Sequence, residues 1–418
     1  MSKPESSKRN IILLIIVAAL GYFVDIYDLV LFSVVRIESF HDIGIKEDKM
    51  RVMGEYVLNM QMGGLLLGGI IWGIIGDKLG RIKVLFGSIL LYSLANIANG
   101  LVTDINSYAI IRFIAGIGLA GELGAGITLI SETMRKEHRG YGTMLVAGVG
   151  VLGALAAVAV SQHFSWQTSY FVGGGMGLLL LLLRIGTFES GMFKSVSESN
   201  VSKGDIRILF TNRERFLKYL YCICIGLPIW FVVGILVTQS PEFGKALGAP
   251  QTLSAATGIM FTYIGISVGD IFAGLFAQLT KSRKATVFVF QILIIISSTI
   301  YLSSTGLTNS AFVWLCLFMG FAVGYWATFV TISAEQFGTN IRSTVTTTAP
   351  NFVRGALIPT TFLFEFFVKQ FGIIYSAYIV VFLLTAIAMF ALSQLKESFS
   401  KDLDYLEEDA TGQHNILS

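Results

Sequence analysis

Several ionisable residues sit inside long apolar stretches of this 418-residue chain: Asp25, Asp28, Arg112, Glu122, Asp270 and Arg354. A charge in such surroundings costs about 3 kcal/mol at the centre of a lipid-spanning helix, so it is kept where it faces a wet cavity and has work to do. Asp25 and Asp28 are three residues apart and share a helix face. Two carboxylates shielded from water resist double ionisation, which suits a site that takes up and releases a proton. Glu122 joins them as a proton-coupling candidate, and Asp270 is added on depth alone. The bland reading of this group is structural, carboxylates paired with an arginine such as Arg112. Arg354 presents five donors in a planar fork that fits a carboxylate or phosphate, and Asn351, three residues earlier, shares its face. Its rival reading is a charge neutralised across the bundle by Glu122 or Asp270. Arg112 itself could assist proton transfer or snorkel as a structural arginine. Tyr27, Trp230 and Tyr325, with Tyr22, Tyr263 and Trp326, are candidates to line a substrate cavity, although helix aromatics often serve packing or the interfacial belt.

The elements that must carry these residues follow from composition. Hydrophobic residues make up 54% of the chain and charged residues 14%, with mean hydropathy +0.71, whereas soluble domains are about a quarter charged. The apolar runs are unbroken rather than alternating, which favours helices over a barrel. Twelve runs are visible, at about 11–36, 53–76, 83–101, 107–132, 140–162, 168–188, 216–240, 251–279, 285–304, 309–336, 343–368 and 372–394. With a cytoplasmic N-terminus, the inner segments hold 21 Lys and Arg and the outer segments six, a bias that places both termini in the cytoplasm. The first run is too long for a signal peptide core and carries two aspartates, so it reads as a retained helix. At about 1.5 Å per residue, Glu122, Asp270 and Arg354 each come to rest roughly 15 Å from an inner helix end, close to the midplane.

The hydrophilic stretch 189–215 divides the chain, so the expected organisation is a six-helix bundle at 1–188, a cytoplasmic linker at 189–215, a second six-helix bundle at 216–396 and a cytoplasmic tail at 397–418. The halves repeat one plan. Glu132 is followed seven residues later by Arg139, and Glu335 by Arg342, the two pairs offset by 203 residues. Asp77 and Arg81 lie in the charged turn Gly76-Asp-Lys-Leu-Gly-Arg-Ile-Lys83 between the second and third runs. Together Asp77, Arg81, Glu132, Arg139, Glu335 and Arg342 are expected to form a gating latch on the inner face, effective only as a network because single surface pairs contribute little.

That charged turn resembles the GDRxGRR-type signature of the major facilitator superfamily. The repeated Glu-x6-Arg is similar to the pattern in the sugar porters of that superfamily. Gly21-Tyr-Phe-Val-Asp-Ile-Tyr-Asp28 and Gly121-Glu122 are spaced as in its metabolite:proton symporters, and Arg342 with Arg354 as in its organic-ion transporters. The resemblance implies an all-α membrane protein of twelve transmembrane helices in two six-helix bundles, with Arg354 facing the substrate cavity and Arg112 in a fourth-helix motif linked to proton transfer.

Other classes fall away. Cys222, Cys224 and Cys316 lie within apolar helices, and the four histidines show no metal-ligand spacing. No nucleophile, base and orienting group share a depth, so an enzyme is not expected. No GxxxxGK[ST] string is present, and no cofactor is expected. The reading is a proton-coupled symporter of a small anionic or zwitterionic metabolite, embedded in the inner or plasma membrane and working as a monomer. Its rivals are a carrier of a neutral sugar or nucleoside, an exporter of a drug or siderophore, and a receptor that has lost transport.

Overall fold

The computed structural model describes residues 8–79, 81–122, 139–189, 209 and 212–399; the side chains of 8–14, 76–79, 81, 82, 139–145, 147, 148, 185–189, 339, 340, 342 and 343 also lie outside the description. Among the described residues every regular element is helical. The first half contains α1 (Lys8–Asp42), α2 (Met50–Leu79), α3 (Arg81–Asn99), α4 (Ile105–Leu119), α5 (Arg139–His163) and α6 (Trp166–Glu189). The second contains α7 (Arg213–Cys224), α8 (Leu227–Phe231), α9 (Ser240–Ala246), α10 (Ala255–Thr280), α11 (Arg283–Ser303), α12 (Asn309–Val323), α13 (Trp326–Glu335), α14 (Thr339–Gly355) and α15 (Leu357–Gln394).

Local chemistry sets the helix starts. Asp104 caps α4, accepting from the N–H groups of Asn106 at 2.9 Å and Ser107 at 3.0 Å, while Ser254, Ser282 and Thr308 cap α10, α11 and α12 through their hydroxyls. Among the described residues, eight helical spans are long and apolar enough to cross a membrane. One of them, Thr344–Gln394, holds two of the twelve sequence runs, divided where Gly372 takes φ 74°. Three shorter apolar helices account for the other runs. The architecture is the expected twelve-helix membrane fold.

Two crossings in the second half are discontinuous. The seventh run breaks between α7 and α8 at Ile225-Gly226, with Pro228 in the first turn after the break, and continues through a π-helical stretch, Val232–Val237. The tenth breaks between α12 and α13 at Gly324-Tyr325. Broken helices at membrane depth occur where backbone is buried in protein or lines a cavity, because hydrocarbon cannot satisfy freed carbonyls.

Packing repeats between the halves. α1 packs on α5, α2 on α4 and α3 on α6; correspondingly α7 and α8 pack on α15, α10 on α12, and α11 on α15. The α10–α12 pair shows why glycine is needed: Gly269 faces the Phe321 carbonyl and Gly324 faces the Gly269 backbone, so a Cβ on either would collide with main chain that cannot move aside. The halves meet chiefly where α2 runs along α14 and α5 along α10, with α1 also touching α10.

Candidate functional site

The buried charges sort into paired and unpaired groups. α1 carries Gly21, Asp25 and Asp28 along one side of the helix. Gly21 lies against the carboxylate of Glu122 and the guanidinium of Arg184, so closely that a Cβ would overlap both. Arg184, from α6, grips Glu122 with both Nη atoms, one of them at 3.1 Å and the other closer still. Both side chains are buried. Farther along α1, Arg112 from α4 donates to Asp28 Oδ1 at 3.0 Å, to the Asp28 carbonyl at 3.1 Å and to Asn96 Oδ1 at 3.1 Å. Its guanidinium also lies 5.5 Å from the Tyr170 ring. Asp28 is thus paired with Arg112 through Oδ1, while its Oδ2 meets no hydrogen-bond partner among the described residues.

Asp25 differs. It is 1% exposed, and neither carboxylate oxygen meets a hydrogen-bond partner among the described residues. Arg354, on α14 in the other half and also 1% exposed, lies within electrostatic range of it. Arg354 forms no ion pair among the described residues. Its Nη1 donates to Asn351 Oδ1 at 3.3 Å, and its Nε has no partner. The guanidinium lies 5.6 Å from the Trp230 ring and 5.4 Å from the Trp326 ring, which meet edge to face with centroids 6.4 Å apart. Cation–π contact of this kind supports a buried guanidinium without neutralising it.

The two helix breaks position the indoles. Tyr325 donates to the Ile225 carbonyl at 2.8 Å, and Gln291 Nε2 donates to both the Ile225 carbonyl at 3.0 Å and the Tyr325 hydroxyl at 2.8 Å. One knot thus ties the break before Trp230 to the break before Trp326. Asp270 holds the start of α13, accepting from the Ala327 N–H at 2.9 Å, a carboxylate at a helix N-terminus where the macrodipole favours it. The Tyr325 hydroxyl is engaged in this knot, and the Tyr27 hydroxyl donates to the Ser169 carbonyl at 2.8 Å, so both tyrosines tie helices together rather than joining the group around Arg354. Asn351 does join it and also links the halves, its Nδ2 donating to the Ala120 carbonyl at 3.0 Å.

A second set of cross-half contacts lies at the end of the bundle where α1 finishes and α2 begins. Arg36 Nη2 donates to Glu242 at 3.0 Å and to the Thr238 carbonyl at 3.2 Å. Arg51 bridges Glu55 at 3.1 Å and Glu365 at 3.1 Å. Gln239 Nε2 donates to Glu55 at 2.7 Å, and Thr361 donates to Asn59 at 3.2 Å. Sequence reasoning missed these contacts, because Arg36, Arg51, Glu55 and Glu242 lie near the ends of apolar runs and read as loop charges, and neutral residues such as Gln239, Asn59 and Thr361 give no signal of their own. Arg184 was missed for a similar reason: at the end of the sixth run it looks like a flanking positive charge.

Of the expected latch, Glu132 lies outside the described residues, as do the side chains of Asp77, Arg81, Arg139 and Arg342. Glu335 is described and pairs with Arg283 at 2.7 and 3.0 Å, while accepting from the Ser398 hydroxyl at 2.7 Å. Cys222 and Cys316 are buried packing residues, and no group of potential metal ligands forms among the described residues.

The model of the Major Facilitator Superfamily matches residues 13–358, most of the chain. The chain belongs to this superfamily. Two relatives sharpen the comparison. The 3-(3-hydroxy-phenyl)propionate transporter of Escherichia coli is 29% identical over 67% of this chain and 67% of its own length. The sialic acid transporter NanX of Escherichia coli is 27% identical over 72% of this chain and 73% of its own. Among solved structures, the proton:xylose symporter XylE superposes with a TM-score of 0.71 at 17% identity, covering 95% of this chain and 98% of that one. As a superfamily member the protein is a multi-pass membrane transporter of small molecules, and not an enzyme.

Proposed function

We propose that this transporter moves a small organic anion together with a proton, with Arg354 holding the anion and Asp25 the proton. One observation carries the reading: two opposite buried charges, on helices from different halves, each lack an ion-pair partner among the described residues, while neighbouring Asp28 and Glu122 are paired with arginines. An uncompensated buried charge is expensive, and each such group persists only where something that travels completes it. The substrates named for the two relatives are a phenylpropionate and sialic acid, both organic acids, in keeping with a guanidinium at the site.

Symport follows from electrostatics. With the site empty, neither Arg354 nor Asp25 is in ion-pair contact among the described residues. An anion on Arg354 leaves Asp25 as a second negative charge nearby, and a proton on Asp25 removes that repulsion. Each cargo therefore favours the other by the same free energy, as linkage requires. The loaded site is neutral overall apart from Arg354 and its bound anion, so the halves can rock around it without moving a naked charge through a dry interior.

In this reading the end of the bundle closed by Arg36–Glu242 and Arg51–Glu365 faces outward, the termini are cytoplasmic and the membrane is the inner or plasma membrane. Asn351, bridging to Ala120, reports substrate binding at Arg354 to the opposite half. The test is flux in proteoliposomes of purified protein. An imposed inward proton gradient drives accumulation of an organic-acid substrate in the wild type, and Arg354→Ala abolishes binding as well as flux. Gradient-driven uptake of uncharged substrates that survives Arg354→Ala would refute the proposal.

A further inference from the structure

Arg354 is not the only buried donor around it that lacks an acceptor. The indole Nε1 atoms of Trp230 and Trp326 are both buried and have no hydrogen-bond partner among the described residues, and Arg354 Nε is in the same condition. An indole N–H can only donate, and a buried donor left without an acceptor is unfavourable because its lost hydration is not replaced. A single orphan of this kind could be an accident of packing. Three on one cluster, in which both rings lie within 5.6 Å of the same guanidinium carbon, indicate a common missing acceptor.

Resting on the proposed anion site, we infer that Trp230 and Trp326 are specificity-determining residues that donate their indole N–H groups to the carboxylate held by Arg354. The ring faces are already occupied in supporting the guanidinium, so what these side chains offer a substrate is hydrogen bonding rather than stacking. A carboxylate has four lone-pair sites and can accept from the guanidinium and both indoles at once. A neutral amide supplies a single acceptor oxygen and brings two N–H donors into a ring of donors, which leaves groups unpaired on both sides. The site therefore selects carboxylates against their isosteric amides, as sites built from buried polar groups do.

The placement explains why the helix breaks are where they are. Trp326 immediately follows the break at Gly324-Tyr325, and Trp230 lies one turn beyond the break at Ile225-Gly226; the Tyr325–Ile225–Gln291 knot fixes the two relative to each other. Two indoles from separate crossings are thereby held as one preorganised pair, with less ordering left to occur on binding.

The experiment uses the full-length protein with indole nitrogen-15 labelling, the resonances of Trp230 and Trp326 being identified from Trp230→Phe and Trp326→Phe. Acetate and 3-phenylpropionate are titrated against acetamide and 3-phenylpropanamide. The carboxylates are expected to shift both indole N–H resonances downfield and the amides neither, and each Phe variant, which keeps a ring beside Arg354, to weaken carboxylate binding about tenfold. Carboxylate binding that depends on Arg354 but moves neither indole resonance overturns this inference while leaving the anion site intact. Absence of any Arg354-dependent binding by either carboxylate overturns both. Phe variants that bind as tightly as the wild type likewise exclude the indoles as donors.

Discussion

Arg112 donates to Asp28 at 3.0 Å with neither side chain reaching the surface, whereas Asp25, three residues earlier on α1, meets no partner among the described residues. Removing one member of a compensated buried pair strands the other, at about 3–5 kcal/mol. Asp28→Asn is therefore expected to destabilise the protein strongly, visible as a large fall in the thermal unfolding midpoint in detergent. Asp25→Asn removes an unpaired charge and should leave that midpoint unchanged or raise it. Equal destabilisation by both substitutions would contradict the division into structural and working carboxylates.

Transport should divide the same two residues differently. Asp25→Asn cannot carry a proton but leaves Arg354 in place, so substrate exchange across a proteoliposome membrane should persist while accumulation driven by a proton gradient is lost. The measurement is counterflow beside gradient-driven uptake with one preparation. If Asp25→Asn still accumulates substrate uphill, the proton rides elsewhere, and Glu122 with Arg184 becomes the group to examine.

The C-terminal segment gives a pH dependence with a definite sign. Burial works against the charge of Glu397, but hydrogen bonds from the Ser282 hydroxyl and from the N–H groups of Arg283, Phe399 and Lys284 outweigh it and hold the carboxyl below the usual glutamate range. A depressed value means that the docked segment gains stability above the ordinary glutamate pKa of about 4.3 and loses it as pH falls through the depressed one. Protection of the amides at residues 396–399, measured against the intrinsic exchange rate at each pH, should thus hold from neutral pH down to that range and fall below it. Glu397→Gln should exchange quickly throughout; no difference between the two would show that the carboxylate does not hold the segment.

Much of this was legible in the sequence, and the losses have physical causes. The twelve crossings could be read because lipid demands unbroken apolar runs, and Arg354 with Asn351 could be singled out because a charge at that depth is costly. The breaks at Ile225-Gly226 and Gly324-Tyr325 stayed hidden, since both lie in runs whose hydrophobicity continues across them. Tyr27 and Tyr325 looked equivalent to Trp230 because helices apolar on every side give no sign of which way a ring faces; the structure engages both hydroxyls in helix ties. Glu335 was expected with Arg342 from local spacing; the Arg342 side chain lies outside the described residues, and among those described Glu335 meets Arg283 and Ser398. Contacts such as Arg36–Glu242 and Arg51–Glu365 join residues 206 and 314 positions apart, a pairing that no local pattern encodes.

Those distant pairs lead to the last prediction. Arg36 and Arg51 each cross from the first half to the second, and Gln239 with Glu55 and Thr361 with Asn59 add neutral links beside them. Any conformation that opens this end of the cavity must break all of them together. Pairs that are partly exposed contribute little singly, about 0–1 kcal/mol each, but a network broken in one step adds its members, and a bias of about 1.4 kcal/mol changes a two-state population tenfold. Glu242→Gln combined with Glu365→Gln should therefore shift the resting population toward opening at this end. Spin labels at Lys46, in the connection between α1 and α2, and at Lys245, exposed on α9, would report it as growth of a longer distance in the double variant. If that distribution matches the wild type, these ion pairs do not bias the closed state and the closure must be held by apolar packing between the halves.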